Sequence, residues 1–581
     1  MIRDLGFIQW KDPLAWMESM KGSRWARTVA SENLHFHKAV EAHSKKVIIP
    51  KEETLSFECG PIRIKPNGTL SYTWTWIGST KPHEAAALDY RDNTVYAIEA
   101  DSEGNEVYTL VCYTQTKMLW RYKTSIAPYI CVKDGLCYLI EAVGTLQYRR
   151  LISIDAATGK GRRVLFEETS QRNNLFLKNG FLISDNSGRQ ALYTLPVKRV
   201  CEDGISFFPV SGNCYFARLG SFEAPWKLFG AEYKLPPLND GLEFFSLKTS
   251  LLLSSSGGVR SLYKCSADKA PVKLREFIGT CVFDTFCTES MYITNIPGST
   301  QGLYDGKRLI RKEEVYARHT LHMSISADGT RVPYVLVAEK TTVKGLMIIV
   351  YGGYGIPTKM DTHRWRVYLQ AGWGLVFGFI RGGGDFGDSW ADAARTYKKG
   401  KSVEDAKAVI RSAQELTGMS WTRTCIYGRS AGGYVVGSIV SRHARGGLIG
   451  AAYAEVPYVD ILRTTTNPAL PLTVLEYDEF GNPAEKLEDL EAILRLSPID
   501  SLPEEGAPAI FVVARTSLND KEVLAYESVK WITKLRGSTG GGEQKLLALT
   551  GGQGHFVRGS LDVQQKTEDF ILLNRWLESR V

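Results

Sequence analysis

The sequence predicts two architectures in one chain: a closed all-β array of six or seven propeller blades, then a doubly wound α/β domain with a mostly parallel sheet. Three observations predict this. Between about residues 50 and 318, short aromatic and β-branched runs are broken by Asn-Gly, Asp-Gly and Ser-Gly steps, and no convincing helical pattern intervenes. After residue 319, continuous apolar runs alternate with helical stretches, as strands buried on both faces require. One of those runs leads straight into a Gly-x-Ser-x-Gly turn at 428–432.

Composition bounds the reading. The 581 residues are 44% hydrophobic and 23% charged, which is ordinary for a globular chain and excludes disorder or coiled coil as the dominant state. Lys and Arg number 71 against 63 Asp and Glu, a net +8 spread over the whole length. The basic clusters, such as Lys398-Lys399-Gly400-Lys401, are short, so no nucleic-acid partner is expected. The opening MIRDLGFIQWKDPLAW lacks the apolar core of a secretion signal, and no apolar run is long enough to span a bilayer. Ten cysteines form no Cys-x-x-Cys pair, so reduced core thiols in a cytoplasmic protein are expected, with no membrane partner.

In chain order, residues 1–45 read as a helical segment, with Trp16, Met17, Met20, Trp25, Val29, Leu34 and Val40 at three- and four-residue spacing. Residues 46–318 read as the propeller. A closed ring of blades removes exposed sheet edges at this size, and 35–45 residues per blade give the count of six or seven. Residues 319–581 read as the α/β domain, with strands expected at 346–351, 375–380, 425–427, 449–454, 509–513 and 546–549. The stretch SVEDAKAVIRSAQELTG reads as a helix opening on Ser402 and closing on Gly418.

The chemistry centres on Tyr427-Gly428-Arg429-Ser430-Ala431-Gly432-Gly433. A strand, a glycine-flanked serine and a helix in succession make the nucleophile elbow of an α/β-hydrolase, with the hydroxyl raised above the sheet. A serine hydroxyl needs a base, and the base needs an orienting acid. His555 follows the last apolar run and Asp520 follows the AIFVV run, giving the order Ser, Asp, His expected of that fold. Asp500 precedes its strand and is the weaker acid, and Asp520 could instead serve as a helix cap. The oxyanion calls for the backbone N–H of Ala431 and a donor from Tyr351-Gly352-Gly353-Tyr354-Gly355. Asp385-Phe386-Gly387 copies a kinase triplet without the accompanying motifs, and no metal-ligand spacing occurs, so neither cofactor nor metal is expected.

The stretches YGGYG, RGGGDFGDSW, YGRSAGG, VPYVDILRTTTNPALPLTVLEYDEFGNP and LNDKEVLAYESVKWITKLR, with DPLAWME near the N-terminus, resemble the prolyl oligopeptidase family of serine peptidases, and oligopeptidase B within it. The resemblance implies Ser430 as nucleophile, Asp520 as acid, His555 as base and Tyr351 as the oxyanion tyrosine, with Tyr354 as substitute. It implies that Glu476 and Asp478 hold a basic side chain before the scissile bond, and three carboxylates within Glu476–Glu479 agree with that. Asp361 matches one member of a second acidic pair, whereas Lys359 occupies the other position. The expected function is an oligopeptidase cleaving short peptides after Arg or Lys, acting as a monomer or homodimer. A same-fold esterase, acylaminoacyl-type peptidase or peptide ligase, and a non-catalytic propeller binding protein, stay open as alternatives.

Overall fold

A computed structural model describes residues 2–4, 9–42, 55–66, 72–100, 107–185, 190–219, 221–285, 288–443, 447–502, 510–537, 544–557 and 559–581. Within 1–45 the helix starts later than the spacing predicts. Asp12-Pro13 leads into a short 3-10 turn over Ala15–Ser19, and the helix α1 runs Gly22–Glu41. Proline restricts the residue before it to extended backbone, which keeps Asp12 out of a helix. Trp25 and Phe36 are buried, but Leu34 faces outward. α1 lies on the C-terminal half of the chain: Asn33 bonds both ways with the backbone of Leu549 (2.9 and 2.7 Å), and Glu32 pairs with Arg536 at 2.6 Å.

The all-β region is a propeller of seven blades. Five are separate four-stranded antiparallel sheets. The fourth and fifth are fused into one six-stranded sheet because a single long strand, Lys198–Ser211, serves both. The first and last blades meet where the Leu55 N–H donates to Gln301 Oε1 at 2.7 Å. Cys59, on the first blade strand, is disulfide-bonded, which corrects the expectation of reduced thiols throughout. Seven other described cysteines are free.

The α/β domain carries one eight-stranded sheet: β1 (Arg318–Ile325), β2 (Arg331–Ala338), β3 (Gly345–Ile349), β4 (Trp373–Gly378), β5 (Thr424–Arg429), β6 (Ala451–Glu455), β7 (Phe511–Ser517) and β8 (Lys545–Thr550). Their order is 1-2-4-3-5-6-7-8; β2 pairs antiparallel with both β1 and β4, and β3 to β8 run parallel to one another. Every residue of β3 to β7 is buried except Arg429, in keeping with the continuous apolar runs. β1 and β2 were not foreseen. β1 is largely exposed on one face and reads RHTLHMSI, without an apolar run to mark it.

Helix α2 spans Gly400–Thr417 and ends on Gly418 in the left-handed region (φ 67°), as predicted. Ser402 is not its cap: it is buried inside the first turn and donates to the Arg381 carbonyl at 2.7 Å. Asp405 likewise turns inward, onto Arg381 at 2.6 Å.

The glycine-rich RGGGDFG loop is the seat of the propeller on this domain. The Gly257 N–H donates to the Asp385 carbonyl (2.7 Å), Ser206 Oγ donates to Asp388 (2.8 Å), and Asp385 accepts from Thr358 N–H (2.9 Å). A Cβ on Gly257 would lie 2.5 Å from the Phe386 ring, so the two domains approach too closely there for any side chain.

Candidate active site

β5 delivers Ser430 to a sharp reversal into helix α3 (Ala431–Arg442). Ser430 sits at φ 52°, ψ −120°, a conformation costly for a residue with a Cβ and sustained only by its surroundings. Its N–H donates to the Glu455 carbonyl (2.9 Å), and its own carbonyl accepts from Gly433 (2.8 Å) and Tyr458 (3.1 Å). The flanking glycines are sterically required. A Cβ on Gly428 would stand 2.3 Å from the Gly432 carbonyl oxygen, and one on Gly432 would stand 2.8 Å from that of Val350.

Asp520 and His555 are brought together and buried. His555 Nδ1 lies 2.7 Å from Asp520 Oδ2, while Asp520 Oδ1 accepts the N–H groups of Glu522 and Val523 at 2.9 Å each. The carboxylate therefore caps the turn after β7 with one oxygen and orients the imidazole with the other. Asp500 is committed elsewhere, to Arg463 at 2.7 Å. Arg429, immediately before the serine, donates to the main-chain carbonyl of His555 and lies 3.4 Å from Glu455. Burial alone drives the His555 pKa down, but Glu522 and Asp520 outweigh it and raise the value above 6.5.

Glu522 is the residue that sequence reasoning missed. Its Oε2 lies 3.6 Å from His555 Nε2, so both ring nitrogens face a carboxylate. The signal was its place in Leu518-Asn519-Asp520-Lys521-Glu522, two residues past the acid on a tight turn.

On the opposite side stands the loop after β3. Tyr351 packs against Gly432 at the start of α3, its ring 3.5 Å from where a Cβ on that glycine would be. Burial, then Glu479, Glu476 and Glu522, hold its hydroxyl protonated, so it remains a donor. Ala431 is buried, and its N–H belongs to the first turn of α3, where amides have no intrahelical acceptor. Tyr354 is occupied differently, for its hydroxyl donates to Glu476.

Glu476 and Asp478 have different neighbours. Glu476 and Asp478 lie on helix α4 (Thr473–Phe480), where residues two apart point to different sides. Glu476 is buried beside Tyr354; burial first, with Glu479 and Glu522 adding repulsion, pushes its pKa up to about 7. Asp478 instead senses Arg172 and Asp185 of the propeller and Arg395 and Lys486. Glu479 is neutralised by buried Lys399, which also donates to the Gly352 carbonyl at 3.2 Å. Asp361 is exposed and accepts the N–H groups of His363 (3.1 Å) and Arg364 (3.4 Å), with Lys359 beside it. Of the three acidic positions named from sequence, only Glu476 faces the tyrosine loop.

Among the described residues no cluster of His, Cys, Asp and Glu has metal-binding geometry, and no helix is long and apolar enough to cross a membrane.

Residues 360–579 match the model of the prolyl oligopeptidase family. That match lies within the C-terminal α/β domain and takes in Ser430, Asp520 and His555. A prolyl endopeptidase-like protein of Xenopus laevis is 30% identical over 231 residues, a stretch covering 38% of this chain and only 32% of that protein. A solved structure from a study of two prolyl endopeptidases superposes with a TM-score of 0.83 at 17% identity, covering 100% of this chain and 98% of the other. Oligopeptidase B from Leishmania major superposes with a TM-score of 0.79 at 16% identity, covering 99% and 95%. At such identities the likeness is one of fold: an α/β-hydrolase domain with a seven-bladed propeller.

Proposed function

We propose that the chain is a serine oligopeptidase that hydrolyses short peptides on the C-terminal side of Arg or Lys. The observation that carries this is the buried Asp520–His555 pair at 2.7 Å, tied through Arg429 to the serine held at positive φ beside it.

Ser430 Oγ adds to the scissile carbonyl carbon while His555 Nε2 takes the hydroxyl proton. The Tyr351 hydroxyl and the Ala431 N–H donate to the oxygen that becomes negative. Collapse breaks the C–N bond, and the imidazolium gives its proton to the leaving nitrogen. Water then attacks the acyl-enzyme, passing its proton to His555, and the acid is released as Ser430 regains a proton. Glu476 receives the guanidinium or ammonium of the residue before the cleaved bond, where a cation draws its raised pKa back down and fixes the carboxylate. The propeller, seated on the RGGGDFG loop, covers the site and admits only short, unfolded chains.

Matched fluorogenic dipeptides ending in Arg, Lys, Pro and Phe test the reading. Turnover after Arg and Lys should exceed the others at least tenfold and fall toward them in Glu476→Gln. A preference for Pro or Phe contradicts the assignment of Glu476.

A further inference from the structure

We propose that the propeller face turned away from the α/β domain is a docking surface for an anionic lipid bilayer, held by a ring of lysines contributed one from each blade. The proposal stands apart from the peptidase reading above. Peripheral docking needs no spanning segment, and it replaces the expectation that the chain has no membrane partner.

The ring follows from the topology. In each blade a lysine stands at the turn between the third and fourth strands. Lys81, Lys117 and Lys160 lie in that turn in the first three blades, and Lys198 closes it in the fourth. Lys234, Lys269 and Lys307 hold the place in the last three. In the fifth blade the outer edge is the segment around Leu238, whose carbonyl accepts the Trp226 N–H at 2.9 Å. A four-stranded antiparallel blade has its first and third turns at one end and its second at the other, and blades repeated round a ring put equivalent turns on one face. Two neighbouring turns touch directly: Lys234 N–H donates to the Ser266 carbonyl at 2.7 Å and its Nζ to the Asp268 carbonyl at 2.7 Å. The α/β domain meets the opposite face. Gly257, which bonds to Asp385, lies in the turn between the second and third strands of the sixth blade.

All seven lysines are exposed, and among the described residues no ion pair engages them. Acids at these turns are fewer. Asp155 accepts from Thr158 Oγ1 at 2.7 Å, Asp305 stands opposite Arg308, and Glu232 and Asp268 lie within the turns themselves. A second observation separates a bilayer from other polyanions. In five blades a large apolar side chain stands exposed in the same turn or within two residues of it: Ile77, Met118, Val164, Val272 and Leu309, from 43% to 53% exposed. At the other face the described residues expose Val107, Leu219 and Val315. Lysines attract lipid phosphates and carboxylates, while apolar neighbours enter the boundary between head groups and acyl chains. Nucleic acid offers the phosphates without an apolar layer to receive those side chains. Nothing in the sequence marks this surface, because the lysines stand singly along the chain until the fold brings them onto one face.

Cosedimentation of the full chain with vesicles tests the proposal, using phosphatidylcholine with about 30% phosphatidylserine against phosphatidylcholine alone. Wild type should bind the anionic vesicles selectively. A lysine near such a surface is worth about fivefold in affinity, so Lys81→Gln, Lys117→Gln and Lys307→Gln combined should weaken binding roughly 100-fold. A second triple, Lys160→Gln, Lys198→Gln and Lys269→Gln, should lose as much, which guards against a folding defect in either. The matched control replaces three exposed cations of the α/β domain, Arg331→Gln, Lys340→Gln and Lys344→Gln, and should bind like wild type. Met118→Ser with Leu309→Ser should weaken vesicle binding and leave retention on heparin unchanged. Equal binding to the two kinds of vesicle, an equal loss in the control triple, or tighter binding to a mixed-sequence DNA duplex than to the anionic vesicles overturns the proposal.

Discussion

The guanidinium of Arg429 donates a hydrogen bond to the main-chain carbonyl of His555. Arg429, beside Ser430, therefore fixes the loop that carries His555, although the two are 126 positions apart in sequence. Arg429 is held in turn by Glu455, whose own carbonyl accepts the Ser430 N–H. One residue, Glu455, thus holds Arg429 through its carboxylate and Ser430 through its main-chain carbonyl.

Arg429→Met keeps bulk and removes the donor. A charge-assisted hydrogen bond is worth about 1.5–3 kcal/mol, so kcat should fall roughly 10- to 100-fold. Circular dichroism should be unchanged, and KM for small substrates should move little. Unchanged kcat contradicts the coupling.

The pH profile follows from His555 and Glu476. Carboxylates on both nitrogens stabilise imidazolium, so a higher pH is needed to obtain the neutral base, and the acid limb of kcat/KM should have its midpoint above 6.5. Glu522→Gln removes one of those carboxylates and should move that limb to lower pH. Separately, KM for Arg substrates should rise as pH falls through about 7, because protonated Glu476 no longer attracts the guanidinium. Asp520→Asn should lower kcat by about four orders of magnitude, through loss of the correct tautomer.

The two tyrosines of the YGGYG loop should separate. Tyr351→Phe deletes an oxyanion donor and should lower kcat about 100-fold with the Arg-over-Phe preference intact. Tyr354→Phe frees Glu476 of its donor and should act chiefly on KM for basic substrates. A reversal of the two phenotypes would reassign the oxyanion donor to Tyr354.

Gly428→Ala tests the elbow itself. Its Cβ would meet a backbone oxygen at 2.3 Å, which no rotamer relieves. The variant should lose about 1–3 kcal/mol or more of stability and most activity, read by chemical denaturation and by turnover.

The elbow was legible because its chemistry is local: strand, glycine, serine, glycine and helix follow one another in the sequence. Asp520 and His555 were legible by chain order and by their place after apolar runs. What stayed hidden depends on side-chain direction. Glu476 and Asp478 read as a pair in one dimension, but helical geometry sends them to different neighbours. Glu522 read as one more charge beside the acid until the turn folded it back over the imidazole. The RGGGDFG glycines carry no apolar signal, yet they let the propeller's backbone approach within hydrogen-bonding distance. The antiparallel β1–β2 pair escaped because its outer strand is polar and exposed on one face. Blade number was readable only as six or seven, since one long strand shared by two blades leaves no turn to count.

The central claim is that Ser430 is an activated nucleophile served by His555. Intact-mass measurement after brief exposure to a fluorophosphonate tests it most directly. The account predicts a single adduct on Ser430, none in Ser430→Ala, and labelling slowed by orders of magnitude in His555→Ala. An adduct on another residue, or equal labelling in wild type and Ser430→Ala, would contradict it.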